Sequence, residues 1–224
     1  MFGEGVYGGL MLIGEGPGKD EERQGVPFIG ESGQFLRSSL RELGITEDDF
    51  YATNTVACRS WGEVYDTEGN LQYRSDGSPQ VKDQAPTPHQ MAQCKPRLLQ
   101  QIYAIDPILI VTLGGPATET VLGTAVTITQ LCGKLQHMKM TGASFIPSLT
   151  PKGRWARMTG LKGDRKLVAP HVPNEVIYPV MPVVHPAYAM ANQYDQRVDS
   201  PMAKYASALK KAVNTYNTWK EVCA

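Results

Sequence analysis

The chain has 224 residues, which is enough for one ordinary domain with its own core and short for two. It carries 22 basic and 22 acidic residues, so only the local charge distribution can indicate a nucleic-acid partner. No apolar run approaches the length of a membrane span, and the N-terminus lacks the pattern of a secretory signal. We therefore predict a single cytoplasmic domain over residues 1–224, with no membrane partner, and we expect a monomer.

Short apolar runs predict buried strands, and apolar residues at helical spacing predict helices between them. The predicted strands are 10–13, 50–56, 108–113 and, interrupted by two prolines, 176–184. The predicted helices are 34–43, 88–105, 116–122 and 202–219. Strands that alternate with helices indicate a three-layer α/β/α domain around a central, mostly parallel four-stranded sheet. In such folds, ligands bind beyond the carboxyl ends of the strands.

Two segments depart from this alternation and are interpreted as insertions. Residues 61–85 are polar and turn-rich, and a small hairpin is predicted around Glu68, Gly69 and Asn70. Residues 138–178 have little periodicity and carry seven Lys or Arg against two acids, which makes a local basic patch. The alternative for this patch is a solvated loop.

The glycine-rich loop from Gly14 to Gly18 directly follows the first predicted strand. Glycines at such a place let backbone N–H groups approach a ligand closely. The loop fits neither a dinucleotide-binding fingerprint, because Pro17 interrupts it, nor a P-loop, because Asp20 follows Lys19. Taken alone, it would indicate only a tight turn.

Five motifs occur in order over nearly the whole chain: GEGPGKDEERQGVPFIGESG, NTVACRSW, PTPHQMAQCKPRL, LIVTLG and VVHPAYAM. Together they resemble those of the family-four, thermophile-type uracil-DNA glycosylases. The resemblance implies a uracil-DNA glycosylase-like fold and a monofunctional DNA glycosylase. Such an enzyme flips a pyrimidine out of DNA and hydrolyses its N-glycosidic bond, leaving an abasic site.

The matched residues suit that chemistry. Phe28 would stack on the flipped base, and the Asn54 amide would read its edge as donor and acceptor. His185 would donate a hydrogen bond to the base O2 as negative charge develops. The alternatives are a core phenylalanine, a turn asparagine and a packed histidine.

The glycine-rich loop supplies the remaining predicted site residues. Backbone amides around Gly16 and Gly18 would hold the base carbonyl or a phosphate. In family-one enzymes a loop aspartate activates water, and here Gly16 stands in its place. Glu15 is therefore our candidate to stabilise the oxocarbenium-like sugar and to orient water.

The family carries an iron–sulfur cluster on four cysteines, and this chain matches only two of them. Cys58 and Cys94 fit the cysteines of the second and third motifs, whereas the N-terminal CxxC pair is missing. Cys132 and Cys223 cannot be assumed to replace that pair. We predict no cofactor, with Cys58 and Cys94 as metal ligands only if a cluster is present.

The substrate is left open between uracil and a modified pyrimidine. In family-one enzymes a tyrosine at the position of Gly18 blocks the pyrimidine C5, so here a bulky group such as glucosylated hydroxymethylcytosine of phage DNA could fit. That would make the chain an antiviral glycosylase. A remoter alternative is a non-catalytic DNA-binding relative. For all of these the basic insertion is a candidate phosphate grip, through Lys152, Arg154, Arg157, Lys162, Arg165 and Lys166.

Overall fold

A computed structural model describes residues 3–125, 127–141 and 175–223. The strands are β1 (Glu4–Gly5), β2 (Leu10–Gly14), β3 (Phe50–Asn54), β4 (Trp61–Glu63), β5 (Val81–Asp83), β6 (Leu109–Leu113), β7 (Gln136–Thr141) and β8 (Glu175–Val183). The helices are α1 (Lys19–Gln24), α2 (Glu31–Glu42), α3 (Pro88–Ile105), α4 (Gly115–Leu122), α5 (Ile128–Leu131), α6 (Pro186–Ala191) and α7 (Pro201–Cys223).

The central sheet contains the four predicted strands as a continuous parallel core. Its order is β1-β3-β2-β6-β8-β7, and the neighbours β3-β2, β2-β6 and β6-β8 all run parallel. The sheet differs from the four-stranded prediction in its edges, because β1 and β7 add one antiparallel strand each. The predicted mostly parallel α/β fold is confirmed, and the part of the chain that the structure describes contributes six strands to the sheet instead of four.

Helices cover both faces of the sheet, so the three central strands are buried along their whole length and are mostly apolar. Leu10 and Leu12 of β2 face one core cluster, which includes residues of α2 and α7. Met11 and Ile13 face the other, which includes residues of α3 and α4. All five residues of β2, of β3 and of β6 are buried.

The four predicted helices are present, and α3 has the predicted bounds because its start is strongly specified. The Thr87 hydroxyl accepts a hydrogen bond from the Gln90 N–H at 3.2 Å, and the Gln90 side chain accepts one from the Thr87 N–H at 2.7 Å. This reciprocal pair and Pro88 at the first position fix the N-terminus. Among the described residues, no helix is long and apolar enough to cross a membrane.

The first insertion, 61–85, forms a small antiparallel ribbon of β4 and β5. The predicted turn is present: the Asp66 carboxylate accepts hydrogen bonds from the backbone N–H groups of Glu68 and Asn70, both at 2.9 Å. The second insertion, 138–178, is interpreted from the sequence as lacking regular structure, but both of its ends belong to strands. Its first residues belong to β7, where Met138 and Met140 are buried, and its last residues belong to β8.

Candidate active site

A cleft of about 760 Å³ opens at the carboxyl ends of the parallel strands. The loops after β2, β3 and β8 form its walls together with the segment between α1 and α2. Six residues predicted from the sequence line this one cleft: Glu15, Gly16, Gly18, Phe28, Asn54 and His185.

Phe28 and Asn54 meet at Gly14, the last residue of β2. A Cβ atom at Gly14 would lie 2.3 Å from the Asn54 Oδ1 and 2.8 Å from the Phe28 Cζ. Both side chains are largely buried, with 9% of Phe28 and 4% of Asn54 exposed. The aromatic ring and the amide therefore form one continuous wall, and only glycine leaves room for it.

The backbone of Phe28 has an uncommon conformation. Its φ is 57°, in the left-handed region that residues with a side chain rarely adopt. Gly33 of α2 lies directly beneath, since a Cβ there would be 2.3 Å from the Phe28 carbonyl carbon. The Arg37 guanidinium donates to the carbonyl oxygens of Phe28 at 3.0 Å and Pro27 at 2.9 Å.

Glu21 joins the segment that carries Phe28 to the glycine-rich loop. Its Oε1 accepts hydrogen bonds from the backbone N–H groups of Ile29 at 3.1 Å and Gly30 at 2.8 Å. Its Oε2 would be 2.7 Å from a Cβ at Gly18, so a side chain at position 18 would displace this carboxylate. The residue is buried and lines the cleft.

Asn54 is held by its neighbours on both sides. It is the last residue of β3 and is paired in register with Gly14. The next residue, Thr55, donates from its N–H and its hydroxyl to the Gly14 carbonyl, at 2.8 and 2.9 Å. On the other side, Arg97 of α3 donates to the Asn54 carbonyl at 2.6 Å.

His185 is the N-cap of α6, and its Nδ1 accepts a hydrogen bond from the Ala187 N–H at 3.2 Å. An accepting Nδ1 carries no proton, so the proton of the neutral ring is on Nε2. Burial lowers the pKa of His185 below its ordinary value and favours this neutral form. Gly114, after β6, has a φ of 93° and lets the chain pass close to the ring.

Glu15 is the half-buried carboxylate of the cleft. Burial raises the pKa of the Glu15 carboxyl above its ordinary value. Its carbonyl accepts a hydrogen bond from the Val56 N–H at 3.2 Å. The same valine packs against Gly16, where a Cβ would lie 2.9 Å from its Cγ2. A side chain that carries a carboxylate at position 16 would therefore have to displace Val56, whereas the Glu15 side chain lines the cleft.

The two cysteines that match cluster ligands of the family, Cys58 and Cys94, both interact electrostatically with the Arg97 guanidinium. Burial lowers the pKa of Arg97, and these two thiols raise it. Cys132 lies elsewhere, near the Lys204 carbonyl of α7. Within the described ranges, no group of three or more His, Cys, Asp or Glu side chains is placed to hold a metal ion.

The first insertion reaches the mouth of the cleft, since Asp83, Gln84 and Ala85 contribute to the lining. Arg59, from the loop after β3, anchors it through a 2.5 Å hydrogen bond to Asp83. The predicted phosphate grip lies outside the described residues: Lys152, Arg154, Arg157, Lys162, Arg165 and Lys166.

Sequence reasoning missed Glu21, Arg37 and Arg97. Glu21 lies within the first motif between Gly18 and Phe28, which was a usable signal. Arg37 and Arg97 lie on helices and bind backbone carbonyls far along the chain. Their sequence context looks like that of any helical arginine, so no local pattern marked them.

Comparison with known proteins identifies the family. The profile described as "Uracil DNA glycosylase superfamily" matches residues 8–210. The chain is similar to the type-4 uracil-DNA glycosylase of Thermotoga maritima, with 34% identity over 143 residues, 63% of this chain and 64% of the relative. It is also similar to that of Archaeoglobus fulgidus, with 30% identity over 137 residues and 59% of each chain. The chain thus spans less than two thirds of the length of these relatives. It belongs to the uracil DNA glycosylase superfamily.

Proposed function

We propose that this protein is a monofunctional DNA glycosylase that excises uracil from DNA. One observation carries the proposal: an aromatic ring, a carboxamide and a neutral histidine share the wall of a single cleft, at Phe28, Asn54 and His185. The names of the relatives, type-4 uracil-DNA glycosylases, support the same substrate.

In the proposed reaction the uracil leaves the DNA stack and enters the cleft. Phe28 stacks on the ring, and the Asn54 amide pairs with the polar edge of the base. His185 donates its Nε2–H to the base O2 and stabilises the negative charge that develops as the glycosidic bond breaks. A neutral donor suits this role because it needs no change of protonation.

Glu15 acts on the sugar side of the bond. When ionised, its carboxylate stabilises the oxocarbenium-like sugar and orients the water that completes hydrolysis. Partial burial removes water from the Glu15 carboxylate, which raises its pKa and strengthens the interaction of its ionised form with a nearby cation. DNA is the partner, and we propose that the protein acts as a monomer and without an iron–sulfur cluster.

A second candidate substrate is a pyrimidine with a bulky polar group on C5, which would give an antiviral role. Two observations favour it. The cleft volume of about 760 Å³ exceeds what a bare pyrimidine ring fills, and the inserted segment 61–85 adds polar groups to the lining. Near Gly18, the carboxylates of Glu21 and Asp83 provide acceptors for sugar hydroxyls, although Glu21 also occupies part of the free space.

The test is a glycosylase assay on two DNAs in parallel, one with uracil and one with glucosylated hydroxymethylcytosine, with alkali cleavage to report abasic sites. His185→Ala is the inactive control. Cutting of uracil DNA alone supports repair, and cutting of the modified DNA alone supports the second candidate. No abasic sites in either DNA would contradict glycosylase activity on both substrates.

A further inference from the structure

We infer that Arg37 and Arg97 act together as positioning residues, named here the arginine clamp. Each guanidinium binds the backbone carbonyls beside one of the proposed base-contacting side chains, Phe28 or Asn54. Neither arginine belongs to the cleft lining. The inference rests on the proposed function, because it assigns these two residues to the geometry of the same site.

Arg37 holds Phe28 from the side of α2. Its Nε donates to the Phe28 carbonyl at 3.0 Å, and its Nη2 donates to the Pro27 carbonyl at 2.9 Å. The guanidinium is fixed in turn by two carboxylates, Glu4 at 3.0 Å and Glu47. Only 13% of the Arg37 side chain is exposed, so these bonds form with little competition from water.

The need for such support follows from the backbone of Phe28. A left-handed φ of 57° is unfavourable for a residue with a side chain, and it persists only where surrounding contacts impose it. Phe28 also lies between two helices instead of at the end of a strand, so the sheet does not hold it. Arg37 provides part of these contacts by donating to the Phe28 carbonyl, and Glu21 provides the rest by accepting from the N–H groups of the next two residues.

Arg97 holds Asn54 from the side of α3. Its Nη2 donates to the carbonyls of Asn54 at 2.6 Å and Thr55 at 3.0 Å, and its Nη1 donates to the Gln101 Oε1 at 2.7 Å. The same Gln101 oxygen accepts from the Thr53 hydroxyl at 3.0 Å. Arg97 itself thereby bonds two successive carbonyls, at the last residue of β3 and the residue after it, and the Thr53–Gln101 bond is not one of them.

The two halves of the clamp act on one surface, because Phe28 and Asn54 meet at Gly14. Each half uses two nitrogens of a planar guanidinium: Nε and Nη2 of Arg37 bond the Phe28 and Pro27 carbonyls, whereas Nη2 of Arg97 bonds both the Asn54 and Thr55 carbonyls while its Nη1 bonds Gln101. A lysine ammonium keeps the charge but not this planar geometry. We therefore expect loss of the clamp to misplace the base without weakening the hold on DNA phosphates.

The experiment measures single-turnover excision of uracil and equilibrium binding to the same DNA for Arg37→Met and Arg97→Met. Displacing catalytic groups by about 1 Å can cost about 100-fold in rate, so we expect each variant to be slower by about 10-fold or more. DNA affinity should change by less than about 3-fold, since neither arginine lines the cleft. Arg37→Lys and Arg97→Lys should lie between wild type and the methionine variants.

Two control variants separate positioning from general destabilisation. Arg41→Met removes an exposed partner of the same Glu47 carboxylate, at 3.3 Å, without touching the Phe28 segment. Thr53→Val removes one bond of the Gln101 network and leaves both Arg97–carbonyl bonds. Both controls should keep the wild-type rate when assayed below their melting temperatures.

The decisive readout is a pair of double-mutant cycles. If Arg37 acts through Phe28, then Arg37→Met should cost little further rate in a Phe28→Ala background, and likewise Arg97→Met in Asn54→Ala. The clamp would be overturned if each arginine substitution slowed excision by the same factor in the alanine background as in the wild-type background. It would also be overturned if the methionine variants were as fast as wild type. Either result would leave the proposed function intact. A wild-type protein that excises no base would instead overturn the proposed function itself, and the clamp with it.

Discussion

Replacing Gly14 by alanine tests whether the wall formed by Phe28 and Asn54 determines the rate. The added Cβ would lie 2.3 Å from the Asn54 Oδ1, which is about 1 Å short of ordinary van der Waals contact. It would also lie 2.8 and 2.9 Å from two carbons of the Phe28 ring. One methyl group therefore has to displace both base-contacting side chains, and a displacement of that size can cost about 100-fold in rate.

The assay is single-turnover excision on uracil DNA, with thermal unfolding measured on the same samples. Overpacking a buried site costs about 1–3 kcal/mol, which lowers the melting temperature by about 2–12 °C in a chain of this size. Gly115→Ala is the matched control, because nothing lies within 4 Å of its Cβ position and the residue is helical. A Gly14→Ala enzyme that is folded and within 3-fold of the wild-type rate would refute the role of this wall.

Three further predictions concern charge and the first insertion. Because the pKa of Glu15 is raised, its carboxylate becomes protonated at a pH above the ordinary glutamate value of about 4.3. The excision rate should therefore fall as the pH decreases, and this fall should begin above that ordinary value. Glu15→Gln should abolish this acid limb and lower the rate about 10-fold or more without changing DNA affinity. The lowered pKa of His185 predicts that its neutral form persists below pH 6.5. A rate that falls as the pH decreases through values above about 6.5, and that no longer does so in His185→Ala, would contradict the neutral Nε2–H donor. Finally, residues 65–79 can be replaced by Asn-Gly, because the Val64 N–H already bonds the Gln80 carbonyl at 2.9 Å. This shortened ribbon should excise uracil at the wild-type rate. A large loss of rate would show that residues 65–79 contribute to the reaction.

Sequence patterns predicted the parallel core because its strands are buried on both faces and read as continuous apolar runs. They missed β1 because a two-residue strand carries no periodicity. For β7 the signal was present and overlooked: Met138 and Met140 alternate with exposed residues, as in a half-buried edge strand.

The cleft residues were predictable for a related reason, since most of them directly follow strands. Parallel strands deliver the loops that follow them to one edge of the sheet, so Glu15, Asn54 and His185 had to converge once the strands were identified. The arginine clamp was not predictable in this way. Its bonds join helices to carbonyls 9 and 43 residues away, and such pairings depend on tertiary packing that no local pattern encodes.

Phe28 needs more support from charged side chains than the other proposed site residues do. The catalytic candidates Glu15 and His185 adjoin strands whose ladders fix them within a rigid sheet. Phe28 has no such ladder, yet its ring must stay in register with the amide of Asn54 to hold a base between fixed groups. Its strained backbone is therefore bonded from two sides, by Glu21 on the N–H groups that follow it and by Arg37 on its carbonyl. Preorganisation by these charged groups lowers the reorganisation that the site needs when a base enters the cleft.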